Sequence, residues 1–157
     1  MVGGRVAVDV STSAIIRRER SDVASYVANP DNTPDWYVNI EDVKWETSPP
    51  VREGSRLAFI AHFLGRRLVY TYEVVEYVPD ERLVMRTVDG PFPMETTYTW
   101  DVTQDGQTKM VLRNRGNPHG VTMLLAPLVA HSMRRENQKD LARLKSLLEA
   151  PDGAGKR

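Results

Sequence analysis

Apolar and polar residues alternate almost without interruption along the stretch PFPMETTYTWDV, residues 91–102. Successive side chains of a β-strand point to opposite faces of the sheet, so this alternation predicts an antiparallel strand with one buried face. The predicted buried face carries Phe92, Met94, Thr96, Tyr98, Trp100 and Val102. Such a face either packs into the core or forms the wall of a cavity, and this pattern alone is consistent with both.

The remaining patterns predict one strand, two short helices, five more strands and a long helix. Strand patterns cover residues 5–18, 41–48, 55–64, 67–78, 82–88 and 107–115. The short helical patterns cover residues 20–30 and 31–38. Short turns separate consecutive strands, which indicates an antiparallel meander, and Asp105-Gly106 suits a two-residue type I′ hairpin. Apolar residues occupy both parities of 67–78, so the buried face of that strand is not fixed by the pattern.

A long amphipathic helix is predicted over residues 123–149, about 40 Å in length. Its apolar stripe, spaced by three or four residues, consists of Ala126, Ala130, Met133, Asn137, Leu141, Leu144 and Leu148. This helix is the only element long enough to cover the apolar face of the sheet. The predicted fold class is therefore α+β, with a curved seven-stranded antiparallel sheet around a C-terminal helix. We expect one domain over residues 1–150 and a disordered tail over residues 151–157.

Small and polar residues in the helix stripe raise the question of a cavity. Ala126 and Ala130 occupy positions where the other half of the helix carries leucines. Two alanines either leave space against a wide sheet or allow the helix backbone to approach the sheet closely. Asn137 lies in the middle of the stripe, and a buried amide needs a partner from backbone, water or ligand.

Composition excludes several classes of function. Lys+Arg and Asp+Glu both number 21, so the chain lacks the basic excess of a nucleic-acid-binding protein. The absence of Cys excludes disulfides and thiolate chemistry, and His62, His119 and His131 lack the spacing of a metal site. No apolar run approaches a membrane span and no signal-peptide pattern is present, so we expect a cytoplasmic protein without stable membrane insertion. No cofactor is expected.

Several stretches together resemble the START-like superfamily, the polyketide cyclase/dehydrase and lipid transport proteins (SRPBCC) with the helix-grip fold. The matching stretches are SDVASYVANPDNTPDW, REGSRLAF, LGRRLVYTYEVVEYVPDERLVM, TYTWDVTQDGQTKMVLRNRGNPHG and NQKDLARLKSLLE, within residues 6–149. None is a catalytic signature. The resemblance implies a deep cavity between the long helix and the sheet. It also implies hydrophobic or amphipathic ligands, such as polyketides, lipids, sterols or aromatic metabolites, and it leaves a homodimer open.

Candidate site residues follow from the predicted faces and from this resemblance. The expected ligand-binding residues are Trp36, Phe59, Tyr72, Met94, Tyr98, Trp100, Ala126, Ala130, Met133 and Asn137. If the protein is instead an aromatase/cyclase or dehydratase, it needs a donor at a developing enolate and a base near an acidic C–H. The candidates for these roles are Tyr72, Tyr98, His119, Arg113 and Arg115, although strand parity favours a solvent-facing position for both arginines. A closed cavity with function on an exposed surface is a third reading.

Overall fold

A computed structural model describes residues 8–63, 65–117 and 124–151 of the chain. The helices are α1 (Arg20–Ala28), α2 (Thr33–Trp36, preceded by a 3-10 turn at Pro30–Asn32) and α3 (Ala126–Glu149). The strands are β1 (Val8–Ile16), β2 (Ile40–Trp45), β3 (Arg56–Phe63), β4 (Arg66–Val78), β5 (Arg82–Asp89), β6 (Met94–Val102) and β7 (Thr108–Gly116). The strands form one antiparallel sheet in the order β1-β7-β6-β5-β4-β3-β2.

This topology is a meander from β2 to β7, with β1 added to the free edge of β7. The register pairs Val8 with Gly116 and Ile16 with Thr108, so β1 and β7 match along their whole length. Two short helices follow β1, and α3 lies against the inner face of the sheet, as the shared core of α3 and strand residues shows. The predicted α+β helix-grip fold, with a seven-stranded sheet and a long C-terminal helix, is confirmed.

The apolar stripe of α3 packs into two clusters. Leu141, Leu144 and Leu148 lie in the main core together with the inward-facing residues of the sheet. Ala126 instead packs on Val8 and Val10 of β1 in a smaller cluster, with Ala130 beside it. The two alanines therefore allow close approach of the helix to β1, which is the alternative to empty space.

The inner face of β4 changes parity at a β-bulge. Tyr70, Tyr72 and Val74 face the helix side, and the register then shifts between Val74 and Glu76. One residue between Val74 and Glu76 has no partner on β5, so the parity of the inward-facing residues shifts by one. As a result Tyr77, rather than Glu76, packs on the core. This bulge explains why apolar residues occupy both parities of the stretch.

The β6–β7 connection differs from the predicted two-residue type I′ turn. Thr103 N–H donates to the Gln107 carbonyl at 2.9 Å, which leaves the three residues Gln104, Asp105 and Gly106 in the loop. Gly106 has a φ of 78°, whereas Asp105 does not have a positive φ, so the two positive φ values of a type I′ turn are absent. A three-residue loop that ends on a left-handed glycine is the other common hairpin solution.

Candidate ligand-binding site

A cavity of about 160 Å³ lies between the N-terminal half of α3, the turn after α2, and the inner face of β3 to β7. Its apolar and aromatic wall consists of Tyr37, Ile40, Phe59, Ala61, Tyr70, Tyr72, Met85, Phe92, Met94, Tyr98, Val129 and Met133. Its polar wall consists of Thr33, Asn39, His62, Thr96, Asn114, Glu136, Asn137 and Asp140. The wall reaches the protein surface at His62, which is exposed and pairs with Glu41 at 3.0 Å.

Six of the ten predicted ligand-binding residues line this cavity. They are Phe59, Tyr72, Met94, Tyr98, Met133 and Asn137. They come from β3, β4, β6 and α3, and the meander and the α3 stripe bring them to one place. Their role in ligand binding stays a prediction.

The other four predicted residues lie outside the cavity wall. Trp36 and Trp100 are fully packed in the main core, where their rings flank Tyr98 at centroid distances of 5.9 and 6.3 Å. They therefore support the wall from behind. Ala126 and Ala130 lie against β1, because their small side chains fit the close approach of α3 to Val8 and Val10.

Two tyrosine hydroxyls form a hydrogen-bonded, partly buried pair in the wall. The hydroxyl oxygens of Tyr37 and Tyr98 lie 2.8 Å apart, and either can donate to the other. Burial raises the pKa of Tyr37 well above its usual range, and the neighbouring Tyr98 adds to the shift. Burial likewise raises the pKa of Tyr98. Both hydroxyls are therefore neutral donors at physiological pH.

A third hydroxyl and a threonine–asparagine pair complete the polar part of the sheet wall. Burial raises the pKa of Tyr72 to about 12, although a hydrogen bond with Thr96 opposes the shift. Thr96 Oγ1 donates to Asn114 Oδ1 at 2.7 Å across β6 and β7. The sheet side of the cavity thus presents uncharged hydrogen-bonding groups.

On the helix side, Asp140 is a buried carboxyl group with one strong partner. The backbone N–H of Val38 donates to Asp140 Oδ1 at 2.9 Å, and the residue is 3% exposed. Burial raises the pKa of Asp140 to about 7, despite the hydrogen bond from Val38 and the positive charges of Lys139 and Arg143, which lower it. The carboxyl group is therefore poised to change its protonation near neutral pH.

Asn137, one turn before Asp140, has an unsatisfied amide. The residue is 4% exposed, and its Nδ2 atom is buried without a hydrogen-bond partner in the part of the chain that the structure describes. A buried donor left unpaired costs about 1–3 kcal/mol. The sequence indicated that this amide needs a partner, and its place in the cavity wall makes a bound molecule able to supply one.

The candidate catalytic residues are not gathered in the cavity. Tyr72 and Tyr98 line it, but Arg113 lies on the outer face of the sheet, where it binds the Asp9 carboxylate at 2.9 and 2.7 Å. Arg115 also faces outwards, towards Asp9 and Glu95. The candidate Arg113 is therefore wrongly placed for chemistry on a molecule in the cavity. His119 lies outside the described residues.

Several wall residues were missed by sequence reasoning. Tyr37 lies in a short turn that has no periodicity, and only the approach of that turn to α3 places it in the wall. Asp140 was recoverable, because it follows Asn137 by three residues and so shares the buried side of the helix. Asn114 could also have been predicted as an inward-facing residue, since it has the same strand parity as the buried Leu112.

The described residues contain neither a metal-binding cluster nor a membrane-spanning helix. No group of three or more His, Asp or Glu side chains in residues 8–63, 65–117 and 124–151 converges to hold a metal ion. Within the same ranges, no helix is long and apolar enough to cross a membrane.

Comparison with known proteins places the chain in a family. The sequence model of the polyketide cyclase / dehydrase and lipid transport family matches residues 7–149. A search of curated protein sequences found no match.

Solved structures share the fold at low sequence identity. TTHA0849 from Thermus thermophilus is 18% identical with a TM-score of 0.77, covering 88% of this chain and 94% of that one. A START superfamily protein from Mycobacterium smegmatis is 14% identical with a TM-score of 0.75, covering 90% and 97%. The Zhui aromatase/cyclase from Streptomyces sp. R1128 is 16% identical with a TM-score of 0.71, covering 90% and 93%. The family match covers nearly the whole chain, and the chain therefore belongs to the polyketide cyclase / dehydrase and lipid transport family.

Proposed function

We propose that the protein binds a hydrophobic or aromatic small molecule in the cavity between α3 and the sheet. The observation that carries this proposal is the unpaired, buried amide of Asn137 in a wall that is otherwise mostly aromatic and aliphatic. Ligand sites in proteins commonly combine an apolar wall with a few placed polar groups. The family description, which includes lipid transport, supports the same reading.

Native mass spectrometry of the purified full-length protein tests this proposal. We expect a discrete added mass that disappears on denaturation, and solvent extraction then identifies the molecule by its chemical class. The variant Asn137→Leu should reduce the retained fraction, whereas Arg113→Gln, on the outer face, should retain the molecule as the wild type does. No added mass, together with no thermal shift across lipids, sterols and aromatic polyketides, would contradict the proposal.

A second candidate function is a polyketide aromatase/cyclase or dehydratase acting in the same cavity. Asp140 favours it, because a buried carboxyl group with a pKa of about 7 lies in the wall with the neutral phenols of Tyr37 and Tyr98. Such a pairing can supply a base and a hydrogen-bond donor for enolisation. The fold of the Zhui aromatase/cyclase is similar. If the protein is such an enzyme, it should turn over a poly-β-ketone analogue. Asp140→Asn should abolish this turnover while the analogue still binds.

A further inference from the structure

The size of the cavity limits what it can hold. Its volume is about 160 Å³. An apolar protein cavity of about 150 Å³ is large enough for benzene. A single ring with a short substituent therefore matches the volume of the cavity, and a longer ligand would have to extend beyond it.

The charges of the wall limit the ligand further. Among the described lining residues there is no Lys or Arg, whereas Glu136 and Asp140 both lie in the wall. Glu136 Oε1 already accepts a hydrogen bond from Asn39 Nδ2 at 3.0 Å, and Lys139 pairs with its other oxygen at 3.7 Å. His62 also lies in the wall, but its Nε2 already contacts Glu41 at 3.0 Å. A ligand carboxylate or phosphate would thus be desolvated close to Glu136 without a free cationic partner, which is unfavourable.

Among the buried polar side-chain atoms of the wall, one nitrogen has no hydrogen-bond partner within the described residues. The hydroxyls of Tyr37 and Tyr98 bond to each other, and Thr96 bonds to Asn114. Asn137 Nδ2 has no such partner within the described chain. The χ2 torsion of asparagine is broad, so this amide can reorient when a ligand enters the cavity. The complementary group on a ligand is a hydrogen-bond acceptor.

We infer that the cavity takes an uncharged, single-ring compound with a carbonyl group, and that the Asn137 amide donates to the carbonyl oxygen. The inference rests on the proposed function and names the ligand class for the same site. A protein with this ligand preference would not be a carrier of fatty acids or phospholipid headgroups, because those ligands are anionic.

Three probes of similar size test the inference by titration calorimetry or ligand-observed NMR. Acetophenone has the ring and the carbonyl, ethylbenzene lacks the acceptor, and benzoate carries a charge. We expect acetophenone to bind the wild type and benzoate not to bind. The ratio of the ethylbenzene to the acetophenone dissociation constant should fall about tenfold in Asn137→Leu, the factor expected for one hydrogen bond. The same ratio should be unchanged in Arg113→Gln.

A measurement on the wild type removes any dependence on how well the variant folds. The Asn137 side-chain amide pair in the ¹⁵N spectrum of the wild type, assigned by its NOEs to the Asn137 β-protons, should shift with acetophenone and much less with ethylbenzene. If the amide does not shift, or if the ratio is the same in the variant, the inference is wrong while binding in the cavity stands.

Two further outcomes also overturn the inference. Benzoate that binds as tightly as acetophenone would show that charge is not excluded. Failure of all three probes, with a larger molecule retained in native mass spectrometry, would show that the size class is wrong although the proposed function holds. If native mass spectrometry also finds no retained molecule, the proposed function fails together with the inference.

Discussion

The backbone N–H of Val38 donates to the carboxylate oxygen Oδ1 of Asp140 at 2.9 Å, and this bond joins the turn after α2 to the middle of α3. The turn carries Tyr37 into the cavity wall, and the helix carries Asn137. One buried carboxyl group therefore helps to hold the two sides of the cavity together.

The first prediction concerns the pH dependence of stability. Burial raises the pKa of Asp140 to about 7, so between about pH 4 and pH 7 the folded protein holds a proton that the unfolded chain has lost. The contribution of this group to stability is therefore full below pH 4 and decreases as the pH rises through 7. Asparagine keeps an oxygen for the Val38 N–H and cannot ionise. Relative to the wild type, Asp140→Asn should gain about 4 kcal/mol between pH 4 and pH 8.

Urea unfolding of both proteins at several pH values in this window measures the difference. Asp35→Asn, which changes an exposed aspartate, should leave the wild-type pH dependence unchanged. Parallel stability curves for the wild type and Asp140→Asn would show that Asp140 does not titrate with a raised pKa.

The second prediction concerns the hydroxyl pair of Tyr37 and Tyr98. Removing one hydroxyl leaves the other buried and unpaired, so each single Tyr→Phe variant should lose about 1–3 kcal/mol of stability. The double variant should lose less than the sum, with a coupling energy of about 1 kcal/mol by a double-mutant cycle. Tyr26→Phe is the control, because the Tyr26 hydroxyl makes only a long hydrogen bond of 3.5 Å, to Asp35, in an exposed position. Additive losses at positions 37 and 98 would contradict the pair.

The third prediction concerns the end of α3. Burial alone would raise the pKa of Glu149, but hydrogen bonds from Lys145 and Arg17 outweigh it and hold the pKa at about 2. The stabilisation by this carboxylate is therefore present above the unfolded value of about 4.3 and is lost as the pH falls towards 2. Glu149→Gln should cost about 1 kcal/mol at pH 7 and only a small fraction of that at pH 2. Thermal or urea unfolding at both pH values tests this, with Glu53→Gln, an exposed glutamate, as control.

The sheet and the long helix could be read from the sequence because their signals are local. The alternation of residues 92–102 placed Met94, Thr96 and Tyr98 on the inner face, and all three line the cavity. The buried face of β4 could not be read in this way, because its bulge depends on pairing with β5. Local periodicity fails wherever a neighbouring strand sets the register.

The candidate site was only partly predictable for a related reason. Spacing along α3 identified Asn137, and it also placed Ala126 on the buried stripe without showing which surface it would meet. The helix crosses the sheet so that its first turns contact β1 and its middle turns border the cavity. The position of Tyr37 depends on the contact between Val38 and Asp140, which are far apart in sequence.

The fourth prediction concerns the outer face of the sheet. Arg113 and Asp9 form an exposed ion pair with bidentate geometry, which belongs at the upper end of the range of about 0.2–1 kcal/mol for exposed pairs. Arg113→Gln should therefore change stability by no more than that amount, and ligand retention in native mass spectrometry should be unchanged. Loss of the retained molecule in a folded Arg113→Gln protein would show that the outer face takes part in binding.

The fifth prediction concerns Gly116, at the end of β7, where a substitution outside the cavity should reduce the volume of the cavity. A Cβ atom at this position would lie 2.7 Å from Met94 Sδ and 3.2 Å from Phe92 Cε2, and both side chains line the cavity. Gly116 does not have a positive φ, so its backbone accepts alanine, and the flexible Met94 side chain moves instead. In Gly116→Ala we expect the thioether to move towards the cavity that Met94 lines, so binding of a ring-sized probe such as acetophenone should weaken severalfold.

A second substitution distinguishes lost space from a general disturbance of the sheet. Met94→Ala removes the side chain that Gly116→Ala displaces, so the double variant should regain much of the binding that the single variant loses. Circular dichroism should remain that of the wild type in Gly116→Ala. The melting temperature should fall by a few degrees, because the Phe92 ring and the Pro93 carbonyl oxygen, each 3.2 Å from the added Cβ, also have to give way. If the double variant binds no better than Gly116→Ala, the probe does not occupy the space beside Met94, and binding should then be mapped around Asn137 and Asp140.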